Sequence, residues 1–358
     1  MNKTCRLLYV VGQLGCGGLE RQLYYLFEAM DRDRYHPELV VWNSSEVDIY
    51  SAAIQGLGIR LHCFSSNDSR TEKVRALRRL VREVKPELVH SFTFHTNFAA
   101  WWAVRGTRAL AVGAVRSDFA LAKRDSGPLL GHLCARWPRQ QIFNSRAAAD
   151  RAARMSKLFT PCGRHLVRNA VDVQRFSYKP FSSGKPTRIL AVGNLVPIKR
   201  WERLFRAAAL LKQTGHTFEI QLLGEGPLRN ELQQQIHALG IFDFVRLLGY
   251  RSDVGELMAA AHFLAHTSDS EGCPNVVAEA MACGRAVVAT DTGDVSSLVE
   301  DGITGFLVAC EDEMGLVEKM RTLITAPDIC QGMGRAGRAK AEKELGLERF
   351  VRETYAIY

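Results

Sequence analysis

Short continuous apolar runs alternate with longer amphipathic stretches along the first half of the chain. Residues 7–11, 39–42, 59–64, 88–92, 109–115 and 141–143 are runs of strand length. Residues 17–30 and 70–85 between them carry a helical period. Apolar runs without strict alternation suit strands covered on both faces, and a repeated βα order implies a parallel sheet between helices. A second series follows, with strands expected at 188–192, 218–223, 244–247, 263–265, 286–289 and 306–308 and helices at 200–212 and 228–239. Between the two series, residues 172–187 hold two Pro, one Gly and three Ser with little periodicity, the composition of a linker. The expected fold class is α/β, with two doubly wound domains in tandem. The first covers 1–172, a linker 173–187 and the second 188–340, while a helix over 341–358 packs back on the first domain. Ligands of such sheets sit beyond the strands' carboxyl ends, so two facing domains would place the reaction in the cleft between them.

Composition narrows the class of molecule. The chain has 358 residues, 47% hydrophobic and 24% charged, which excludes a disordered chain, a collagen and a disulfide-dense miniprotein. The net charge of +9 is unevenly placed: residues 1–178 carry 27 Lys and Arg against 15 Asp and Glu, the remainder 20 against 23. A basic half suggests an anionic partner: nucleic acid, a lipid headgroup surface or a phosphorylated substrate. The stretch 70–85 has an apolar stripe of Val74, Leu77, Leu80, Val81 and Val84. It reads as a core-packed helix with a solvated basic face. The charge surplus also suits weak attraction to anionic lipid, worth ~1 kcal/mol per nearby Lys or Arg.

Nine Cys without a Cys-x-x-Cys pair show neither zinc spacing nor a disulfide framework and suit a reducing, cytoplasmic compartment. The apolar runs at 7–11 and 98–104 fall short of a signal peptide and of the ~18 residues a spanning helix needs. Any membrane contact is expected to be peripheral, on the cytoplasmic face.

Three segments carry chemistry. The first runs from His266 through Glu271, Gly272, Cys273, Pro274, Asn275, Val276, Val277 and Glu279. It follows a strand and opens a helix, with Pro274 expected at the first helical position. The amides of Asn275, Val276 and Val277 would then lack helical partners and, with the helix dipole, form an anion site. Glu279 lies roughly 7–8 Å along the axis, its side chain tilted back toward the start. Two carboxylates would flank a phosphate-binding helix end and accept hydrogen bonds from hydroxyls, as a diphosphate between two polyols requires. The alternative is that both acids merely favour a helix N-terminus.

The second segment, Gly193 to Trp201, has Lys199 and Arg200 opening a helix, the wrong sign for the dipole unless they face a bound anion. Otherwise they are a solvated basic pair. The third, Val11 to Glu20, includes Gly17 and Gly18, where a backbone can approach a ligand closely. It is neither a dinucleotide fingerprint nor a Walker loop, and a tight strand-to-helix turn explains it equally well.

Taken together, the segments resemble the retaining glycosyltransferases of family 4, which have the GT-B fold of two facing Rossmann-like domains. The matching pieces are Gly17-Gly18-Leu19-Glu20, the Glu271-x7-Glu279 signature with its Glu-Gly-x-Pro-Asn start, and Val192 to Lys199. Gly224-Glu225-Gly226-Pro227 and the turns around Gly293 and Gly302 add support.

The resemblance implies a nucleotide-sugar donor, UDP- or GDP-linked, and a lipid-linked or glycan acceptor in bacterial envelope polysaccharide assembly, such as lipopolysaccharide. It also implies retained anomeric configuration, no metal, no cofactor and no nucleic-acid partner. Lys199 would neutralise the departing diphosphate, Glu271 contact the transferred sugar and Glu279 the ribose. Gly272 to Val277 would contact donor sugar and phosphates, and Gly17 and Gly18 would approach the diphosphate. Glu225, in the supporting turn, joins the donor-binding set, and Tyr250 and Arg251 would lie near the base.

Two departures stand out. Asn194 replaces the usual Arg, with Arg200 as a candidate substitute where Gly is common. At the end of the fifth strand of the first domain, Arg116 stands where a His is often found, and by the resemblance it would take over a phosphate or acceptor contact. His95 is a nearby polar group, either catalytic or structural. Two other functions remain open: a sugar-nucleotide epimerase of the same fold, and a non-catalytic nucleic-acid-binding protein using the basic half.

Overall fold

The computed structural model describes residues 4–15, 17–45, 48–155, 160–180 and 186–358. These form two compact units, Met1–Asn169 with Leu347–Tyr358, and Ala170–Gly346.

The first unit is built on seven parallel strands: β1 Cys5–Val11, β2 Tyr35–Ser44, β3 Arg60–Ser65, β4 Leu88–Ser91, β5 Leu110–Val115, β6 Gln140–Phe143 and β7 Gly163–Leu166. Their order is β3-β2-β1-β4-β5-β6-β7, so the chain turns back at β1 and the switch point lies between β1 and β4. Leu7 to Val11 are all fully buried, as a strand covered on both faces must be. The helix Arg70–Val84 starts with a capping box, Ser69 accepting from the Glu72 amide and Glu72 accepting from the Ser69 amide. It ends where Lys85 takes a left-handed conformation. Leu77 and Val81 pack under it against Leu8, Val10, Val40 and Trp42. Lys73 departs from the expected solvated basic face: it is 3% exposed.

Leu347–Tyr355 is a separate helix of this unit, and Pro327–Glu344, which takes in residues expected to begin the terminal helix, belongs to the other. The Tyr358 hydroxyl lies between the Tyr9 hydroxyl at 2.7 Å and His90 Nδ1 at 2.6 Å, tying the terminal segment to β1 and β4.

The second unit has six parallel strands: β8 Thr187–Val192, β9 Phe218–Leu223, β10 Val245–Gly249, β11 Phe263–His266, β12 Ala286–Thr290 and β13 Gly305–Val308, ordered β10-β9-β8-β11-β12-β13. Its switch point lies between β8 and β11. Trp201, Leu204 and Phe205 fill one face of the sheet, and Val277, Ala280 and Met281 the other. Part of the segment expected as linker is packed here: Phe176 is buried, and Arg338 donates to the carbonyls of Val173 and Phe176. Residues 181–185 of that segment lie outside the described residues. Among the described residues, no helix is long and apolar enough to cross a membrane.

Candidate functional site

The loops leaving β8 and β11 are joined at the switch point of the second unit. After Val192 the chain passes Gly193, where a Cβ would press on Trp201 and the Lys199 stem. It then turns through a short 3-10 helix, Pro197–Lys199. The loop after β11 docks on it by two hydrogen bonds: the Asp269 amide donates to the Ile198 carbonyl at 2.9 Å, and the Thr267 hydroxyl to the Lys199 carbonyl at 2.9 Å.

This docking brings Lys199 Nζ to 2.6 Å from Glu271 Oε1, and His266 Nε2 donates to the same oxygen at 3.1 Å. Burial pushes the Glu271 carboxyl up, but the His266 hydrogen bond and the Lys199 charge outweigh it and hold the group well below the ordinary carboxylate value. Glu271 is therefore an ionised acceptor poised between two donors.

The helix that follows is Asn275–Ala282, and Pro274 is its N-cap rather than its first helical residue, with φ −71° and ψ 115°. One expected anion donor is also engaged within the turn, since the Val277 amide donates to the Pro274 carbonyl at 3.3 Å. Asn275 and Val276 lie in the first turn, where the dipole is positive. Glu279 lies inside the helix and is buried.

The loop is braced from behind by the turn after β12. The Asp294 amide donates to the Gly272 carbonyl at 2.9 Å, and the hydroxyls of Thr290 and Thr292 reach the carbonyls of Ser268 and Asp269. Gly293 has φ +59°, and a Cβ there would collide with the Glu271 carbonyl.

Arg200 does not open the helix as a second outward cation. It is the N-cap of Trp201–Gln213 in a left-handed conformation, φ 53°, and its guanidinium meets Glu202 at 3.0 Å and Asp269 at 3.3 Å. Lys199 sits in the preceding 3-10 turn, so the two cations part company. Asn194 is exposed, and its carbonyl accepts from Trp201 Nε1 at 3.0 Å.

Arg203, given no role by sequence reasoning, is 2% exposed and holds the loop after β11. It donates to the Thr267 carbonyl at 2.7 Å and to Asp269 Oδ1 at 2.8 Å. His266 was likewise part of the first segment without a role. A helical pattern cannot distinguish an inward arginine from a solvated one, and only the fold puts His266 beside Glu271. Glu225 accepts from Arg229 at 2.8 Å beneath Gly249. Tyr250 is 57% exposed, and Arg251 pairs with Asp253 two residues on.

The remaining sequence-predicted residues lie in the first unit. Gly17 is the N-cap of the helix Gly18–Glu28, and a Cβ there would collide with the Glu20 carboxylate folded back over it. Glu20 is buried, which raises its carboxyl above the ordinary value. His95 packs on Gly12, whose amide donates to Thr93 Oγ1 at 2.9 Å. Burial, with the nearby charges of Arg70 and Lys73, lowers its imidazole below the ordinary value. The Arg116 guanidinium lies 3.7 Å over the Phe92 ring. His95 and Arg116 line one cavity of this unit.

A lysine, an ionised carboxylate, a histidine and a helix start thus converge at the switch point of a doubly wound sheet, the place where such sheets take their ligands. Two family models divide the chain at the same place: "Glycosyltransferase Family 4" matches residues 16–175 and "Glycosyl transferases group 1" matches residues 172–340. The chain belongs to the group 1, family 4 glycosyltransferases, and its fold is GT-B.

It is similar to a Campylobacter jejuni N-acetylgalactosamine-N,N'-diacetylbacillosaminyl-diphospho-undecaprenol 4-alpha-N-acetylgalactosaminyltransferase, 33% identical over 49% of this chain and 48% of that protein. The Erwinia amylovora amylovoran biosynthesis glycosyltransferase AmsK is 28% identical over 54% of this chain and 50% of that protein. The chain spans about half the length of the curated relatives first matched. Among solved structures, Anabaena HepE in complex with UDP-glucose superposes with a TM-score of 0.82 at 22% identity, covering 98% of each chain.

Proposed function

We propose that this chain is a retaining glycosyltransferase that moves a sugar from a nucleotide-sugar donor to a lipid-linked or glycan acceptor in envelope polysaccharide assembly. The observation that carries this proposal is the Lys199–Glu271–His266 cluster at the start of the helix Asn275–Ala282. A donor diphosphate placed at that helix start meets the amides of its first turn and the Lys199 ammonium. The transferred sugar's hydroxyls meet the Glu271 carboxylate, which is ionised and so ready to accept. Glu279 accepts from the ribose. When the bond to the anomeric carbon breaks, negative charge grows on the leaving phosphate, and Lys199 stabilises it where it develops.

The leaving diphosphate takes the acceptor's proton, and the acceptor attacks from the face the diphosphate leaves, so the configuration is retained. Lysine and amides supply the charge a metal would, and no Asp-x-Asp motif lies at a strand's carboxyl end, so turnover is metal-independent. The UDP-glucose in HepE and the diphospho-undecaprenol in the Campylobacter relative's name support a UDP-linked donor and a lipid diphosphate acceptor. The basic first half favours an anionic membrane surface.

The test is transfer from a panel of nucleoside diphosphate sugars in excess chelator, with the product anomer read by proton NMR. Retained configuration with undiminished turnover is expected. An inverted product, or loss of turnover restored by magnesium or manganese, contradicts the mechanism.

A further inference from the structure

The first unit holds a cavity of about 630 Å³ lined by Arg70, Lys73, His95 and Arg116. Lys73 is 3% exposed, yet its ammonium meets a neutral acceptor, the Asn43 carboxamide oxygen at 2.6 Å, and forms no ion pair among the described residues. His95 Nε2 is buried and has no hydrogen-bond partner among the described residues. A buried ammonium without a counter-charge costs free energy that an anion at the same place would offset.

Two carboxylates also line the cavity, and each is engaged elsewhere. Asp68 accepts from the Ser65 amide at 3.1 Å in its own turn, and Asp125 pairs with Arg124 at 3.1 Å. The remaining charge is positive: the buried Lys73, Arg70 at the exposed helix start and Arg116 on the Phe92 ring. The His95 ring presents a buried Nε2 that can donate to an oxyanion when it carries the proton.

We propose that this cavity binds an oxyanion, phosphate or carboxylate, carried by the acceptor, with Lys73 as its principal counter-charge. The proposal rests on the glycosyltransferase reading, which requires an acceptor, and adds which residues hold the acceptor's anionic group. Neutral saccharides would leave the Lys73 charge uncompensated, so the cavity selects for charge as well as for shape.

The experiment is calorimetric titration of the full chain, first with UDP and then, at saturating UDP, with glucose 1-phosphate, glucuronate and glucose. At least one anion is expected to bind about tenfold or more tighter than glucose, and which one names the oxyanion. Lys73→Met should weaken that anion about ten- to a hundredfold, as loss of a charge-assisted hydrogen bond does, and Lys199→Met should leave it unchanged. Arg70 is exposed, so Arg70→Gln tests the same cavity without disturbing the core and should weaken the anion less. Equal binding of glucose, binding unaltered by both cavity variants, or loss in Lys199→Met overturns the proposal. UDP binding with no anion binding defeats this proposal alone. Anion binding that depends on Lys73, with neither UDP nor GDP bound, defeats the transferase reading alone.

Discussion

Lys199 and Arg200 are neighbours in sequence with different tasks. Lys199 faces Glu271 in the site, and Arg200 is held by Glu202 and Asp269 in a left-handed backbone. Lys199→Ala is therefore expected to slow transfer about 100–1000-fold, the loss seen when one transition-state donor is removed. Arg200→Gly should keep most activity, since glycine suits φ 53°. Comparing turnover of the two variants with one donor checks this, and greater damage from Arg200→Gly would relocate the catalytic cation.

Glu271 supplies a pH test. Its folded carboxyl lies below its unfolded value, so it contributes stability above the unfolded value of ~4.3, lost as pH falls toward the depressed one. Thermal melts on acidification below ~4.3 should therefore fall more steeply for wild type than for Glu271→Gln; parallel curves would mean that Lys199 and His266 do not hold the charged form. Lysine at 199 and glutamate at 271 were legible from motif spacing. The burial of Lys73 and Arg203 was not, because a cation on an amphipathic helix looks the same whether its stem turns out to water or in to a carbonyl.

At the scale of elements, the apolar runs located most strands, because a strand covered on both faces has nothing polar to interrupt it. β7 escaped: its four residues, Gly163-Arg-His-Leu166, show a single aliphatic side chain at the sheet's edge. The helices between 97 and 154 escaped too, being only seven to nine residues long, two turns or so, too short for a period to stand out. Pro274 was misplaced by one position because proline suits the first helical turn and the residue before it alike, and only ψ separates them.

The loops of the site are held by backbone approaches that a sequence pattern does not display. Gly293 combines a positive φ with contact on the Glu271 carbonyl. Gly293→Ala should cost about 1–3 kcal/mol of stability and reduce transfer, because the colliding backbone carries Glu271. Denaturant unfolding and turnover measured together check it; an unperturbed midpoint would show that the turn yields freely.

For the molecule as a whole, two doubly wound units read from the alternation of runs agree with the two parallel sheets, and the charge asymmetry between halves falls largely on the first. Residues 347–358, within the stretch expected to pack back on the first domain, lie in the first unit, where Tyr358 reaches Tyr9 and His90 far away in the chain. If the basic first half meets an anionic surface, the chain should float with phosphatidylserine vesicles at low salt, release as salt rises, and ignore phosphatidylcholine vesicles. Salt-independent binding to both would point to apolar contact instead.

The central claim is that the second unit holds a nucleoside diphosphate through Lys199 and the start of the helix Asn275–Ala282. Calorimetric titration of wild type and Lys199→Met with UDP and with GDP tests it most directly. At least one diphosphate should bind the wild type, and Lys199→Met should bind it about ten- to a hundredfold more weakly. Failure of both nucleotides to bind, or equal affinity in the two proteins, would contradict the account.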